Sequence, residues 1–460
     1  MRLISSYLLA SLLAVAATAA CGDDSQGGGV VTPVDSGGPG DLGADASDAT
    51  GPGDGSPDTS PADTGPEEVT PGDTTPSDTN VVGDTRPEDT STPSDIDQGA
   101  SDEKAFQAAL ALFDAGLFEA SRTAFEAFIA EYPTSARVDN ALYLIARCAF
   151  ELGDFAGAKA LLETFIAEHP GSVLLDQATY YLGLCQFNLA DYVAAVRTFG
   201  GFGAAFPTSV YLDNALYYQG RAEFERGRYN EALVPFDTLI GDATSGYRDG
   251  ALLYGGRAHY ELGVQSGNPG SSQLDQADTY FGRLFAEHAG SPHEDNARYY
   301  YGLTRYQAEQ FAVAAARLAD LRARFPESLY ADNAWYFEGR CYYKLSDWAR
   351  AASTLEGMYA AYPLGSYADD ALYYAGRSHY ELGRDGDTAA FAIAVQRFES
   401  FVVTFPTSVY ADNAYYYLVR SQLERGDCSA ANQAFDALRV AFPASTYVQR
   451  ASDAIRNAGC

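Results

Sequence analysis

The stretch Asp412-Asn-Ala-Tyr-Tyr-Tyr-Leu-Val-Arg420 is one copy of a phrase that recurs along this 460-residue chain. The phrase reads Asp-Asn-Ala-Leu-Tyr-Tyr-x-Gly-Arg from Asp213, Asp-Asn-Ala-Trp-Tyr-Phe-Glu-Gly-Arg from Asp332, and Asp-Asp-Ala-Leu-Tyr-Tyr-Ala-Gly-Arg from Asp369. Related copies begin at Asp139, Asp176, Asp249 and Asp295, and a degenerate copy begins at Asp102. Successive copies begin 37, 37, 37, 36, 46, 37, 37 and 43 residues apart. A period in this range is typical of stacked supersecondary units, so the repeat predicts a solenoid.

Each unit has the pattern of two helices. In the copy from Asp139 the apolar residues recur at helical spacing up to Gly153, which is a residue type that ends helices. The second helix is expected to begin near Asp154 and to end before Pro170, because proline cannot continue a helix. The alternation typical of strands is missing, which predicts an all-α chain.

A second pattern, Ala-x-x-x-Phe/Leu, recurs in every second helix. The pairs are Ala158/Leu162, Ala195/Phe199, Ala232/Phe236, Ala277/Phe281, Ala314/Leu318, Ala351/Leu355, Ala394/Phe398 and Ala431/Phe435. With the glycines at positions such as Gly183, Gly220 and Gly339, this pattern resembles the tetratricopeptide (TPR) signature. The period is 37 instead of 34, and the extra residues lie in a linker of the form Phe-Pro-x-Ser-x-Tyr-Ala-Asp-Asn. That linker is similar to the repeats of the Tol-Pal-associated periplasmic division coordinator and of the TPR lipoprotein of the β-barrel assembly machine.

The resemblance covers residues 102–460 and implies a superhelical TPR solenoid of about nine helix hairpins. The last helix, Tyr447 to Asn457, is polar on its outer side and is expected to cap the stack. Two longer loops, Val264–Ser272 and Arg384–Thr388, fall between the two helices of a unit.

Residues 1–20 have the composition of a secretory signal peptide, with Arg2 followed by an apolar run that is too short to cross a bilayer. The segment ends Thr18-Ala-Ala-Cys21, which resembles the lipobox of bacterial lipoproteins and implies lipidation of Cys21. The alternative is an ordinary signal cleaved near Ala20, with Cys21 as a spare thiol. Because Gly22 replaces the aspartate that retains lipoproteins at the inner membrane of enteric bacteria, the resemblance implies the outer membrane.

Residues 21–101 are rich in Gly, Asp, Pro, Ser and Thr. Residues 22–101 contain 18 acidic residues, one basic residue (Arg86) and no aromatic residue. Such a segment cannot bury enough apolar surface to fold, so we expect a disordered, extended linker.

Three positions of the repeated phrase fall on one face of the first helix at about 100° per residue. Counted from the leading Asp, position +4 is Tyr in seven copies, position +8 is Arg in six, and position +12 is Glu in five. The TPR resemblance implies that this face lines the concave groove. The candidate partner-binding residues are therefore Tyr143, Arg147, Tyr180, Tyr217, Arg221, Arg257, Tyr299, Tyr336, Arg340, Tyr373, Arg377, Tyr416 and Arg420. Two roles stay open, because Tyr, Arg and Glu four residues apart can also brace the helix and the neighbouring repeats.

The cysteines divide into two groups. Cys148, Cys185 and Cys341 share position +9, where other copies have small residues, and are expected to be inert core thiols. In a TPR stack the capping helix runs parallel to the first helix of the preceding hairpin. Cys428 and Cys460 would then lie at the same edge, where a disulfide is feasible in an oxidising compartment. The alternative is two free, exposed thiols.

No motif for catalysis, cofactor binding or metal coordination stands out. The five histidines lack metal-ligand spacing, and His259 and His379 share an inner position where packing is the expected role. A formal net charge of -32 disfavours nucleic-acid binding, which needs a basic patch. The sequence therefore predicts a non-enzymatic, lipid-anchored scaffold of the cell envelope, facing the periplasm. It would bind envelope proteins or peptides through the groove, in outer-membrane assembly or division. The alternative is a surface-exposed lipoprotein for adhesion or substrate capture.

Overall fold

The computed structural model describes residues 93–460, and the side chains from Ser101 onward. The signal peptide, Cys21 and most of the predicted linker lie outside the described residues. The described part consists of nineteen α-helices: α1 (Pro93–Asp114), α2 (Phe118–Glu131), α3 (Val138–Glu151), α4 (Phe155–Glu168), α5 (Leu175–Asn188), α6 (Tyr192–Ala205), α7 (Leu212–Glu225), α8 (Tyr229–Gly241), α9 (Arg248–Ser266), α10 (Ser272–Glu287), α11 (Glu294–Gln307), α12 (Phe311–Arg324), α13 (Ala331–Lys344), α14 (Trp348–Ala361), α15 (Ala368–Arg384), α16 (Ala390–Thr404), α17 (Ala411–Glu424), α18 (Cys428–Ala441) and α19 (Thr446–Asn457).

The helices pair into nine antiparallel hairpins followed by α19, which confirms the predicted all-α solenoid with a capping helix. We call α1, α3 and the other odd-numbered helices to α17 the first helices, and α2 to α18 the second helices. Helix α1 begins at Pro93, so it includes the last nine residues of the segment that the sequence assigned to the linker. Both long insertions lie between the helices of a hairpin, but they mainly lengthen the first helix, so that α9 extends to Ser266 and α15 to Arg384.

Short local signals set the turns within the hairpins. An Asp side chain accepts a hydrogen bond from the backbone N–H three residues later at the start of four second helices, as Asp154 does from Gly157. The residue before the Asp has left-handed backbone, for example Gly153 with φ +78°. Non-glycine residues with left-handed backbone occur at this place in three turns: Ala190 before Asp191, Ser346 before Asp347, and Glu309 before Gln310. Those three residues carry a backbone cost that glycine avoids.

The linkers between hairpins explain the leading Asp of the repeated phrase. The linker Ser hydroxyl donates to the leading Asp of the phrase in the preceding first helix, with Oγ–Oδ2 distances of 2.6–2.7 Å in five repeats. These pairs are Ser135–Asp102, Ser209–Asp176, Ser291–Asp249, Ser328–Asp295 and Ser445–Asp412. In four of them the Asp is in the first turn of its helix, so the linker lies beside that N-terminus, whereas Asp102 lies within α1. Because the hairpins are antiparallel and stacked, the linkers share one edge of the stack. We call this the linker edge.

A core of small and aromatic side chains continues from hairpin to hairpin. Gly183 is buried against the ring of Phe199, and a Cβ atom added at Gly183 would lie 2.5 Å from that ring. The small residue at position +7 therefore lets the two helices of a hairpin approach closely. First helices of consecutive hairpins also pack on one another, as α5 does on α7 and α15 on α17.

Candidate partner-binding surface

The tyrosines at position +4 are buried in the stack. Their exposed fractions are 4% or less: Tyr143, Tyr180, Tyr217, Tyr299, Tyr336, Tyr373 and Tyr416. In several repeats a tyrosine from the following linker stacks on the ring of the position +4 tyrosine. The ring centroids of Tyr336 and Tyr367 are 4.3 Å apart at an interplanar angle of 9°, and those of Tyr373 and Tyr410 are 4.5 Å apart. The same stacking joins Tyr180 to Tyr211 and Tyr299 to Tyr330.

This burial corrects the expectation that the position +4 tyrosines can contact a partner directly. The helical wheel placed them on the inner face of their own helix. The linker of the next repeat then occupies that face. The linker tyrosine belongs to the longer linker that makes the repeat 37 residues long instead of 34. The extra length of the linker was therefore the sequence signal that could have predicted that the position +4 tyrosines are covered. The hydroxyl of one linker tyrosine, Tyr330, also accepts a hydrogen bond from the Asn296 amide at 2.7 Å.

The arginines at position +8 join one repeat to the next. The position +4 tyrosine hydroxyl on the same helix accepts a hydrogen bond from the guanidinium of Arg147, Arg340, Arg377 and Arg420, with Arg340 Nη1 lying 2.6 Å from Tyr336 Oη. The Arg340 guanidinium also lies over a tyrosine ring of the following hairpin, 3.9 Å from the centroid of Tyr374. Arg147 and Arg377 repeat this contact on Tyr181 and Tyr417, at 3.8 and 4.0 Å. A desolvated cation–π contact contributes about 2 kcal/mol, so these arginines brace the stack.

Four of the six arginines are also buried. Arg147, Arg221, Arg257 and Arg340 have exposed fractions of 4–8%, whereas Arg377 and Arg420 are half-buried. Of the two roles left open by the sequence, the contacts agree with bracing, and only guanidinium edges reach the solvent.

The residue type at position +12 depends on the residue type at position +8. Where position +8 is Leu, at Leu184 and Leu303, position +12 is Asn188 or Gln307 and carries no charge. Where position +8 is Arg, position +12 is Glu in five of six repeats, with Lys344 after Arg340 as the exception. Glu is therefore the counter-charge of the buried Arg.

The contacts support this pairing. Arg147 Nη2 lies 3.0 Å from Glu151 Oε1, and Arg377 Nη2 lies 3.8 Å from Glu381 Oε1. Burial raises the pKa of Glu261 and of Glu381, and the neighbouring arginine opposes this rise in each case. Glu151, Glu225 and Glu424 are exposed, so these carboxylates are the part of the pattern that a partner can reach.

The cysteines lie where the sequence placed them. Cys148, Cys185 and Cys341 are buried free thiols, and burial raises the pKa of Cys185 and Cys341 to about 12, which keeps both protonated and unreactive. Cys428 and Cys460 are joined by a disulfide with a Cα–Cα distance of 5.3 Å. Cys21 lies outside the described residues.

His259 and His379 lie against second helices and are hydrogen-bonded to them, in agreement with the expected packing position. His379 Nε2 lies 2.9 Å from Glu356 Oε1, to which Arg397 Nε also donates at 2.7 Å. His259 Nδ1 lies 2.6 Å from Gln273 Oε1. Within residues 93–460, no group of three or more His, Cys, Asp or Glu side chains is arranged to hold a metal ion. In the same part of the chain, no helix has the length and apolar character needed to cross a membrane.

The fold and its repeated phrase together define a tetratricopeptide-type repeat protein. The chain also resembles a family described as outer membrane lipoprotein (YfiO), whose model matches residues 98–194 and 291–419. Both matched segments fall almost entirely within the described solenoid. No match was found among curated proteins.

Several solved structures are similar in fold. A tetratricopeptide repeat protein from Parabacteroides merdae is 15% identical, with a TM-score of 0.41 over 61% of this chain and 99% of its own. The C-terminal part of a TPR repeat-containing protein from Cytophaga hutchinsonii is 14% identical, with a TM-score of 0.47 over 59% of this chain and 98% of its own. PilW, described as a type IV pilus biogenesis factor, is 16% identical, with a TM-score of 0.37 over 53% of this chain and 99% of its own.

Proposed function

We propose that this protein is a non-enzymatic scaffold of the outer membrane, anchored by lipid at Cys21, which holds protein partners of the cell envelope on the periplasmic side. The observation that carries the proposal is the match to the outer membrane lipoprotein family in two separate parts of the solenoid. The lipobox-like Thr18-Ala-Ala-Cys21 supports the anchor. A solenoid with an extended, repetitive surface suits the binding of proteins or peptides.

The contacts made by positions +4, +8 and +12 of the first helices limit which side chains a partner could reach. The tyrosines are covered and most of the arginines are buried, so the accessible groups are the carboxylates of Glu151, Glu225 and Glu424. A partner segment with basic or amide side chains would complement them. Such exposed charges act mainly on the association rate and on specificity.

Glutamine substitutions test this surface without disturbing the core. Capture of envelope proteins by the chain with Glu151→Gln, Glu225→Gln and Glu424→Gln should fall at least several-fold at low salt. The matched control changes Glu126, Glu163 and Glu399, which are exposed on second helices. Equal capture by both triple variants would reject the inner carboxylates as the partner surface.

The anchor and the orientation need separate measurements. The Cys21→Ser variant should move from the membrane to the soluble envelope fraction, since an acyl anchor is the proposed attachment. Continued sedimentation with membranes would contradict lipidation at Cys21. Protease added to intact cells should leave the solenoid uncut, whereas cleavage would favour the surface-exposed adhesion or capture lipoprotein.

A further inference from the structure

The middle of each linker is almost free of charge. It is a four-residue tip that begins two positions after the last residue of the second helix. We call these the linker tips: 133–136, 170–173, 207–210, 243–246, 289–292, 326–329, 363–366, 406–409 and 443–446. Among these 36 residues only Glu327 is charged, although 20% of the chain is Asp, Glu, Lys or Arg. The tips are made of Pro, Val, Leu, Thr, Ser, Ala and Gly.

Five of the linker tips expose a large aliphatic side chain. The exposed fractions are 78% for Val173, 70% for Val210, 91% for Leu329, 97% for Leu364 and 86% for Val409. A single exposed valine or leucine is ordinary. Four of them, Val173, Val210, Leu329 and Val409, occupy the last position of their tips, and Leu364 occupies the second position of its tip. Together these five side chains form an apolar row along the linkers.

The row lies along one edge because of how the linkers are held. In five repeats the linker Ser binds the leading Asp of the preceding first helix, and the tips of Val210 and Leu329 belong to such linkers. This bond places the tip beside the N-terminal part of that helix. Consecutive first helices pack side by side, and packed helices lie about 8–10 Å apart. The aliphatic side chains of neighbouring tips are therefore about one helix diameter apart.

The opposite edge of the stack is formed by turns that are rich in charged residues. There the turns within hairpins carry charged residues, including Asp154, Asp191, Glu309, Asp347 and Asp427. The linker tips are therefore apolar where the turns within hairpins are charged, and charged residues such as Asp139 and Asp242 flank the tips.

The described chain begins near the linker edge. Asp102 of α1 accepts a hydrogen bond from Ser135 at 2.6 Å, so this part of α1 lies at the linker edge. Residues 93–101 continue the helix outward from there by about 13 Å. Cys21 lies 72 positions before Pro93 in the sequence.

We propose that the linker tips are a membrane-contact surface that rests on the zwitterionic phospholipid surface to which the chain is anchored. This inference rests on the anchor at Cys21 in the proposed function. Aliphatic tips enter the bilayer interface favourably, whereas the charged residues of the other edge would lose their hydration there. An anionic surface would oppose the contact, because the chain carries a formal net charge of -32. The anchored solenoid would then stand on its linker edge and turn its charged edge away from the membrane.

Fluorescence quenching by brominated lipids tests the contact. The chain from Cys21 onward is coupled through that thiol to a maleimide lipid in phosphatidylcholine vesicles with brominated acyl chains. The coupling is selective because Cys148, Cys185 and Cys341 are buried and the other two cysteines are bonded to each other. A tryptophan is introduced by Leu329→Trp or, as the comparator, by Leu117→Trp in the turn between α1 and α2, where the side chain is 53% exposed. The signal of the unsubstituted chain is subtracted, since Trp335 and Trp348 are present in every variant.

We expect the tryptophan at position 329 to be quenched at least three-fold more than the one at position 117. Adding Val173→Asp, Val210→Asp and Val409→Asp should abolish the excess, and adding phosphatidylglycerol should reduce it. The matched set Val193→Asp, Val234→Asp and Val313→Asp, on exposed second-helix positions, should leave it unchanged.

Equal quenching at positions 329 and 117 would overturn the membrane assignment and leave the linker tips as a surface for a protein. The coupling is chemical, so this result does not depend on lipidation in cells. Release of Cys21→Ser from membranes tests the anchor independently, and either proposal can fail alone.

Discussion

Asp370 offers a test of how the linkers hold the stack. It occupies position +1, where the other full copies have Asn140, Gln177, Asn214, Gly250, Asn296, Asn333 and Asn413. The Asp370 carboxylate accepts a hydrogen bond from Tyr336 Oη at 3.2 Å. Burial, followed by the neighbouring Asp369, raises the pKa of Asp370 from 3.8 to about 6, against the opposing effects of Tyr410, Arg340 and Tyr336.

A pKa that is higher in the folded state means that folding favours the protonated carboxyl. The stabilising contribution of the protonated Asp370 carboxyl is therefore fully present below pH 3.8 and is lost as the pH rises through about 6. The difference between 3.8 and about 6, at 1.36 kcal/mol per pH unit, amounts to about 3 kcal/mol. Asparagine keeps an acceptor at this place without a charge. Asp370→Asn should thus stabilise the fold by about 3 kcal/mol above pH 7 and change little near pH 4.

Urea unfolding followed by circular dichroism at pH 4, 6 and 8 measures this difference. The gain from Asp370→Asn should appear between pH 4 and 7 and then stay constant. Asn413→Asp is the matched reverse change, and it should lower stability at pH 8 far more than at pH 4. The reasoning is refuted if Asp370→Asn has the same effect at pH 4 and 8. A variant less stable than the parent at pH 8 would instead show that the tyrosine–carboxylate hydrogen bonds outweigh the burial of charge.

Three further changes probe the turn, the brace and the cap of the stack. Ala190→Gly should raise the free energy of unfolding by about 1 kcal/mol, because φ is +56° at Ala190; Gly153→Ala, with nothing within 4 Å of the added Cβ, should lower it by a similar amount. Arg340→Ala should cost about 2–3 kcal/mol in a urea titration, because it removes a cation–π contact and a buried hydrogen bond; an unchanged midpoint would contradict the bracing role. Cys428→Ser should increase hydrogen exchange in α17 to α19, since the bond to Cys460 spans 32 residues and contributes about 3–4 kcal/mol. Recovery of both cysteines in separate alkylated peptides from the parent protein would show that the bond does not form.

The sequence determined the fold because its signals are local and repeated. Helical spacing, Asp at helix starts, Gly in the left-handed turn and Pro after the second helix each act within a few residues. Nine copies of one pattern then specify nine hairpins, and the capping helix follows from its polar outer side. The edge position of Cys428 and Cys460 came from the same reasoning once the TPR resemblance was applied.

The tertiary structure alone decided which face of each helix a partner can reach. A helical wheel shows that Tyr336 and Arg340 share a face with each other, but it does not show what packs on that face. In the folded chain Tyr367 of the next linker covers Tyr336, and Tyr374 of the next hairpin receives Arg340. Both contacts join residues that are about one repeat apart, and a repeated pattern does not distinguish contacts within a unit from contacts between units. The row of apolar linker tips was also decided by the tertiary structure. The tips become one surface only when the stacked linkers bring residues about one repeat apart beside each other.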